Sequence, residues 1–397
     1  MFTIRDNVKT CVFAGAVLLA TLVSIDNAQA AQSESVLYYF CSQNNCSDGA
    51  SPISGLISDA SGNLYGTAYS GGGNCGCGVV FKIAPDGTET VLYTFGGGAH
   101  GAFPIGSLIM DKKGNLYGVA DGGTNKDGII FEISPNGTQS VLYTFVGGSD
   151  GANPSGALIA DKKGNLYGMT TAGGAHSDGT VFKLTPSGSE TVLYSFAGGS
   201  DGIDPVGSLI ADKNGNFFGA TGFGGPNGEG TVFKLATNGT ESVLYAFTGG
   251  ADGGQPYAGV VADKAGNLYG TTYYGGIGGF SGVVYKVAPN GTETVLHAFC
   301  SLENCDDGYL PEAGLIIDKK GNLYGTTSQG GGFNPGGDGT VFKVSPSGKE
   351  TVLHAFDFQA GDGVFPNTAL LLANGYFYGA TTNGGADSVG TVYKLKE

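Results

Sequence analysis

Gly164-Asn165-Leu166-Tyr167-Gly168 is the stretch on which the fold turns, because it recurs along the whole chain. It returns at residues 62–66, 114–118, 215–219 (with Phe217 and Phe218), 266–270 and 321–325, and more loosely as Gly375-Tyr376-Phe377-Tyr378-Gly379. Seven copies stand 50 to 55 residues apart. A period in that range marks a repeat architecture in which each unit buries its apolar faces only against its neighbours.

One unit, followed outward from Pro154, reads Ala157-Leu158-Ile159-Ala160-Asp161, a turn, then Asn165-Leu166-Tyr167-Gly168-Met169-Thr170. A Gly-rich loop over 172–179 leads to Thr180-Val181-Phe182-Lys183-Leu184, and Pro186-Ser187-Gly188 turns the chain into Thr191-Val192-Leu193-Tyr194-Ser195-Phe196. Each run is short, rich in β-branched and aromatic residues, and bounded by Gly, Pro, Asn or Asp, which predicts four strands, a to d. After the first thirty residues no window holds a helical period. Four short antiparallel strands at this period describe a propeller blade. Adjacent apolar residues in strand c, such as Val232-Phe233, suit a sheet covered on both faces. Ser35-Val36-Leu37-Tyr38-Tyr39-Phe40 is an isolated d strand, and the last copy ends on a c strand, Thr391-Val392-Tyr393-Lys394-Leu395. The expectation is therefore an all-β, seven-bladed β-propeller over residues 31–397, with four antiparallel strands per blade, closed by the N-terminal strand joining the last blade.

Bulk composition narrows the partners. Charged residues make up 13% of the 397, and 19 basic against 34 acidic groups leave a net charge of -15. Phosphate backbones need clustered Lys and Arg, so nucleic acid is not expected, nor an anionic membrane surface. Residues 1–30 read as a signal peptide: Arg5 and Lys9, an apolar run from Cys11 to Ile25, and Ala28-Gln29-Ala30 as the cleavage site. No membrane span follows, which predicts a secreted or periplasmic monomer.

Six cysteines lie beyond residue 30 and suit an oxidising compartment. Cys41 and Cys46 match Cys300 and Cys305 at the same point of two repeats, and each pair most simply closes its own loop. Cys75-Gly76-Cys77 is open: a disulfide across one residue, cross-pairing with the Cys41 to Cys46 loop, or zinc, for which His companions at suitable spacing are missing.

Leu-Tyr-x-Phe-x-Gly-Gly-x-Asp-Gly-x-x-Pro, seen at 193–205, and Asp-x-x-Gly-Asn-Leu-Tyr-Gly-Thr-Thr, seen at 263–272, carry a resemblance. The chain after Ser35 resembles the GloVer tandem repeat of exported bacterial β-propeller proteins. That resemblance implies a propeller and export, and implies no established reaction. The absence of Trp argues against the Trp-containing propeller repeats.

In such a ring the d-to-a and b-to-c loops share one face and the short turns the other, so function is expected among the loops. The b-to-c loops differ most. Tyr273, Tyr274 and Phe280 in one, and Phe333 in another, offer rings on which sugars could stack, or simply pack beneath Gly-rich loops. Asp48, Asp150, Asp201, Asp252, Asp307 and Asp362 each precede Gly and stand four residues before a Pro, while the second blade has His100 in that slot. Placed near the channel mouth, these groups would bind a divalent cation such as Ca2+ or a polyhydroxylated ligand. Asp-Gly before Pro is equally ordinary turn chemistry. His100 and His176 are the histidines on ligand-side loops, whereas His297 and His354 fill a Tyr slot of strand d as packing variants. The expected role is a binding or scaffold module for carbohydrate or a protein ligand on the loop face. The alternatives are a hydrolase or lyase acting at the channel mouth, and a purely structural envelope protein.

Overall fold

A computed structural model of the chain describes residues 34–332 and 337–397. The expected leader, residues 1–30, and Phe333 lie outside the described residues. Strands a to d of each repeat pair in that order into antiparallel sheets, and seven such sheets form a closed ring. In the third blade they are Ala152–Ala160, Leu166–Ala172, Thr180–Leu184 and Glu190–Ser195. The seventh blade takes its outer strand from the start of the chain: Glu34–Tyr39 pairs with Thr391–Lys396, with Glu34 opposite Leu395 and Tyr39 opposite Thr391. The described residues contain no α-helix, only three-residue 3₁₀ turns. The protein is thus an all-β, seven-bladed propeller sealed by its first described strand.

The repeated pentapeptide builds this geometry from both ends. Its second glycine is a socket: a Cβ on Gly168 would lie 2.6 Å from Phe182 Cζ, so only Gly lets strand c carry a large ring there. Phe182 is fully buried, and Phe145 of the preceding blade meets it edge-on at 5.3 Å. The same pair closes all seven seams, from Phe40 on Phe81 round to Phe356 on Tyr393, with centroids 4.9 to 5.3 Å apart. Its first glycine, Gly164, turns the chain at φ +80°. Beside that turn the Asp161 carboxylate accepts from the amides of Lys163 and Asn165 at 2.8 and 2.9 Å, from Asn165 Nδ2 at 2.7 Å and from the Tyr167 hydroxyl at 3.1 Å. Burial opposes ionisation, but these donors hold Asp161 below the usual carboxylate range.

The innermost strands do not follow the expected bounds. Strand a begins at Ala102, Ala152 and Ile203 in blades 2 to 4 and runs for nine residues, passing through Pro104, Pro154 and Pro205. It is two or three residues long in the other four blades. Proline is tolerated because strand a is the inner edge of its sheet. Blades 2 to 4 read Pro-x-Gly and turn at Gly106, Gly156 and Gly207 with φ of +76°, +70° and +67°. Blades 1, 5 and 6 place Gly one residue later, at Gly55, Gly259 and Gly314. The ring is therefore two unlike arcs.

Candidate functional site

The loop that enters strand a is held in the same strained form seven times. Ser51, Phe103, Asn153, Asp204, Gln255, Leu310 and Phe365, each just before Pro, have φ between 52° and 58°. A non-Gly residue in this region costs about 1–3 kcal/mol and persists only when surroundings fix it. Here the fixing group is a carbonyl of the preceding blade's b-to-c loop: Ser51 N donates to Val389 O at 2.7 Å, Phe103 N to Cys77 O at 2.7 Å, and Gln255 N to Glu229 O at 2.7 Å. Backbone is constant at this ring while side chains vary freely.

One residue past each Pro the chain reaches the channel. That position holds Ile53, Ile105, Ser155, Val206, Tyr257, Glu312 and Asn367. Ile53, Tyr257, Glu312 and Asn367 line an axial cavity of about 280 Å³ whose remaining wall is mostly Gly, Ala, Ser and Thr. The large polar and aromatic groups thus cluster in blades 5 to 7. Burial pushes the Glu312 carboxyl up, with Ser328 and Asn367 beside it acting in the opposite sense. Asn367 Oδ1 is buried and accepts no hydrogen bond from the protein. Burial also raises the Asp204 and Asp121 carboxyls. The Tyr257 phenol is raised first by burial, then by Tyr274, Asp204 and Glu312, which places all three within electrostatic reach.

From this mouth a line of rings runs outward over blade 5. Tyr257 meets Tyr273 at 4.8 Å, Tyr273 meets Tyr274 at 4.6 Å, and Tyr274 meets Phe280 at 6.2 Å. Phe280 is 74% exposed and Tyr257 43% exposed, so the line offers faces to solvent at both ends. Tyr273, Tyr274 and Phe280 are brought together as one surface. Tyr257, Glu312, Asn367 and Asp204 were missed from sequence, although the variable residues flanking each repeated Pro were their signal.

The aspartates stand elsewhere, and their expected place at the channel mouth is corrected. Each lies against strand d, the outermost strand. Asp150 Oδ2 accepts from Tyr143 OH and Val146 N, both at 3.0 Å, and Asp201 Oδ2 from Tyr194 OH and Ala197 N at 2.8 and 2.9 Å. Asp252 repeats this with Tyr245 and Thr248, and Asp48 with Tyr38 and Ser42. Asp307 and Asp362 face His297 and His354 at 3.2 and 3.3 Å. The carboxylates cap their own loops, because the strand-d hydroxyl or imidazole is nearer than the axis. His100 is exposed on the same outer rim, with Nδ1 3.1 Å from Gln139 Oε1. His176 is exposed on the b-to-c loop of blade 3. Disulfides join Cys41 to Cys46, Cys300 to Cys305 and Cys75 to Cys77, so the open alternatives for the last pair resolve to bonding across Gly76.

Residues 14–163, 121–337 and 301–397 match the Gloeobacter/Verrucomicrobia repeat. The chain belongs to this repeat family. A search of curated proteins finds no match. Among solved structures, virginiamycin B lyase from Staphylococcus aureus is similar over 92% of this chain and 98% of its own, with 12% identity and a TM-score of 0.56. The extracellular domain of a one component system from B. thetaiotaomicron matches 91% of this chain and 40% of its own, at 10% identity and a TM-score of 0.59. A puromycin hydrolase mutant complexed with PGG matches 88% of this chain and 52% of its own, at 14% identity and a TM-score of 0.55. At such identities the likeness is one of fold.

Proposed function

We propose that this member of the Gloeobacter/Verrucomicrobia repeat family is an exported binding module that takes a neutral carbohydrate chain along the blade 5 aromatic line into the channel mouth. The observation that carries the reading is the run of contacting rings from Tyr257 to Phe280 ending beside Glu312 and Asn367. Sugar rings present apolar faces that stack on such side chains, while their hydroxyls need a few fixed acceptors and donors. The unpaired Asn367 Oδ1 and the half-buried Glu312 carboxyl supply those at the cavity end. A net charge of -15 disfavours an acidic polymer. Three disulfides suit an oxidising compartment, which agrees with the leader read at residues 1–30.

Glycan-array screening of the purified protein, followed by calorimetry on the best oligosaccharide, tests this. Tyr257→Ala and Phe280→Ala are expected to weaken binding about tenfold each, the loss of one stacked ring. Silence across neutral glycans, or full affinity in both variants, would overturn it. A hydrolase or lyase is the second reading, favoured by the raised Glu312 carboxyl as a proton donor at the mouth. In that reading Glu312 is the acid at the mouth, whereas His100 lies on the rim. Turnover abolished by Glu312→Gln with binding retained would select it. A structural envelope protein would show neither binding nor turnover.

A further inference from the structure

The outer rim repeats one arrangement at its seams. Outside the seam of blades 1 and 2, where His100 and Gln139 stand instead, the fifth residue of strand d points at the loop Asp, and the first residue of the next blade's strand d, a Glu, lies near the same carboxylate. Tyr143, Asp150 and Glu190 make one such set, Tyr194, Asp201 and Glu241 another, with Tyr donating to Asp in each. Two seams replace Tyr by His. Where blade 6 meets blade 7, Glu34, His354 and Asp362 each bring one ligand atom within 4.8 Å of the others.

The glutamates of the other seams also leave Oε1 without a hydrogen bond, and His297 leaves Nε2 so, but among the described residues this seam alone brings three metal-ligating atoms together. His354 Nε2 lies 3.3 Å from Asp362 Oδ2, yet neither Nε2 nor Glu34 Oε1, both buried, makes a hydrogen bond. Phe356 holds the His354 ring edge-on at 4.7 Å, so the nitrogen is aimed rather than free to turn away. Asp362 accepts one backbone amide, from Asp357 at 3.3 Å. The other histidine seam differs here. Its Asp307 is already met by Ser301 N at 2.9 Å, Ser301 Oγ at 2.6 Å and Leu302 N at 3.3 Å, leaving little acceptor capacity.

We propose that Glu34, His354 and Asp362 form a binding site for one zinc-class divalent ion that fastens the closing strand to blade 6. One imidazole nitrogen and two carboxylate oxygens give three protein ligands and leave a fourth position for water, an arrangement zinc accepts. Calcium and magnesium prefer all-oxygen sets, so the imidazole discriminates against them. The ion would partner Nε2 and Oε1 together and offset the two acids. Because Glu34 belongs to Glu34–Tyr39, the ion would join the first described strand to elements more than 300 residues away in sequence.

Purified protein is stripped with chelator, dialysed, and titrated with zinc chloride alone, then with calcium chloride alone, reading stoichiometry by calorimetry and elemental analysis and stability by melting. One zinc per chain and a rise in Tm of about 4 °C at saturating zinc are expected, with no response to calcium. His354→Tyr installs the residue that five other seams carry, so it should fold and melt normally while losing the zinc response. His297→Tyr should keep that response. No zinc binding by the parent, an equal calcium response, a full zinc response in His354→Tyr, or its loss in His297→Tyr would each overturn the site.

Discussion

Glu190 shows how one side chain records the packing around it. Burial, and then the Asp150 carboxylate, push its pKa to about 7 from an ordinary 4.5. The folded value exceeds the unfolded one, so the stability contributed by the protonated acid is complete below about pH 4.5 and is lost as pH rises through about 7. Discounted for its partial exposure, the loss is about 1 kcal/mol for this site. Glu190→Gln should remove it, because the second blade already places Gln139 at the equivalent position, bonded to Tyr93 and His100. Urea midpoints followed from acid to neutral pH should fall less steeply in the variant. Identical slopes would show that Glu190 titrates normally. The paired exchange of Asp for His100 and Glu for Gln139 in one blade was visible in sequence, but its meaning required knowing that the two residues touch.

Strands and seams carry the stability. Each seam buries one aromatic pair and an apolar cluster drawn from two blades, as Val80, Phe95, Leu108 and Phe131 do between blades 1 and 2. A register slip between Val181 and Phe182 leaves Leu193 unpaired in strand d, and the same bulge recurs in the closing pair between Val36 and Tyr38. The closing strand thus copies an internal one in detail. Phe40→Ala is expected to cost about 3–5 kcal/mol, the same as Phe196→Ala, because both rings are fully buried against the next blade. Chemical unfolding of the two variants compares them directly. A Phe40 variant as stable as the parent would mean that the ring holds without its first strand. The Cys41 to Cys46 disulfide follows at once and restrains the loop leaving that strand, worth about 2 kcal/mol in the chain-entropy account.

The whole ring is tightest on one arc of its axis. A Cβ on Gly156 would overlap the Gly207 carbonyl, and its φ of +70° already disfavours a side chain. On the other arc, a Cβ on Gly314 would stay 4.0 Å from its nearest neighbours. Gly156→Ala should therefore destabilise by more than about 3 kcal/mol or prevent folding, while Gly314→Ala stays within about 1 kcal/mol. Melting curves of the pair check it, and equal effects would contradict the two-arc description. The same asymmetry explains why the large side chains of the mouth belong to blades 5 to 7. Backbone contact between inner strands fills the other arc, leaving space on this one for Tyr257, Glu312 and Asn367.

Much of this was legible along the chain. Strand alternation, Gly at fixed turn positions and an unpaired d run at one end depend on neighbours a few residues apart, so they specify blades, their number and the closure directly. Tertiary structure alone decided where Asp150 and its counterparts point, because a carboxylate takes the nearest donor, and Tyr143 of the outer strand proved nearer than the axis. It alone gathered Asp204, Tyr257, Glu312 and Asn367 at one mouth. Those residues stand about one repeat apart in sequence, and their meeting depends on how far each blade tilts and how closely the inner strands approach, quantities that no local pattern encodes.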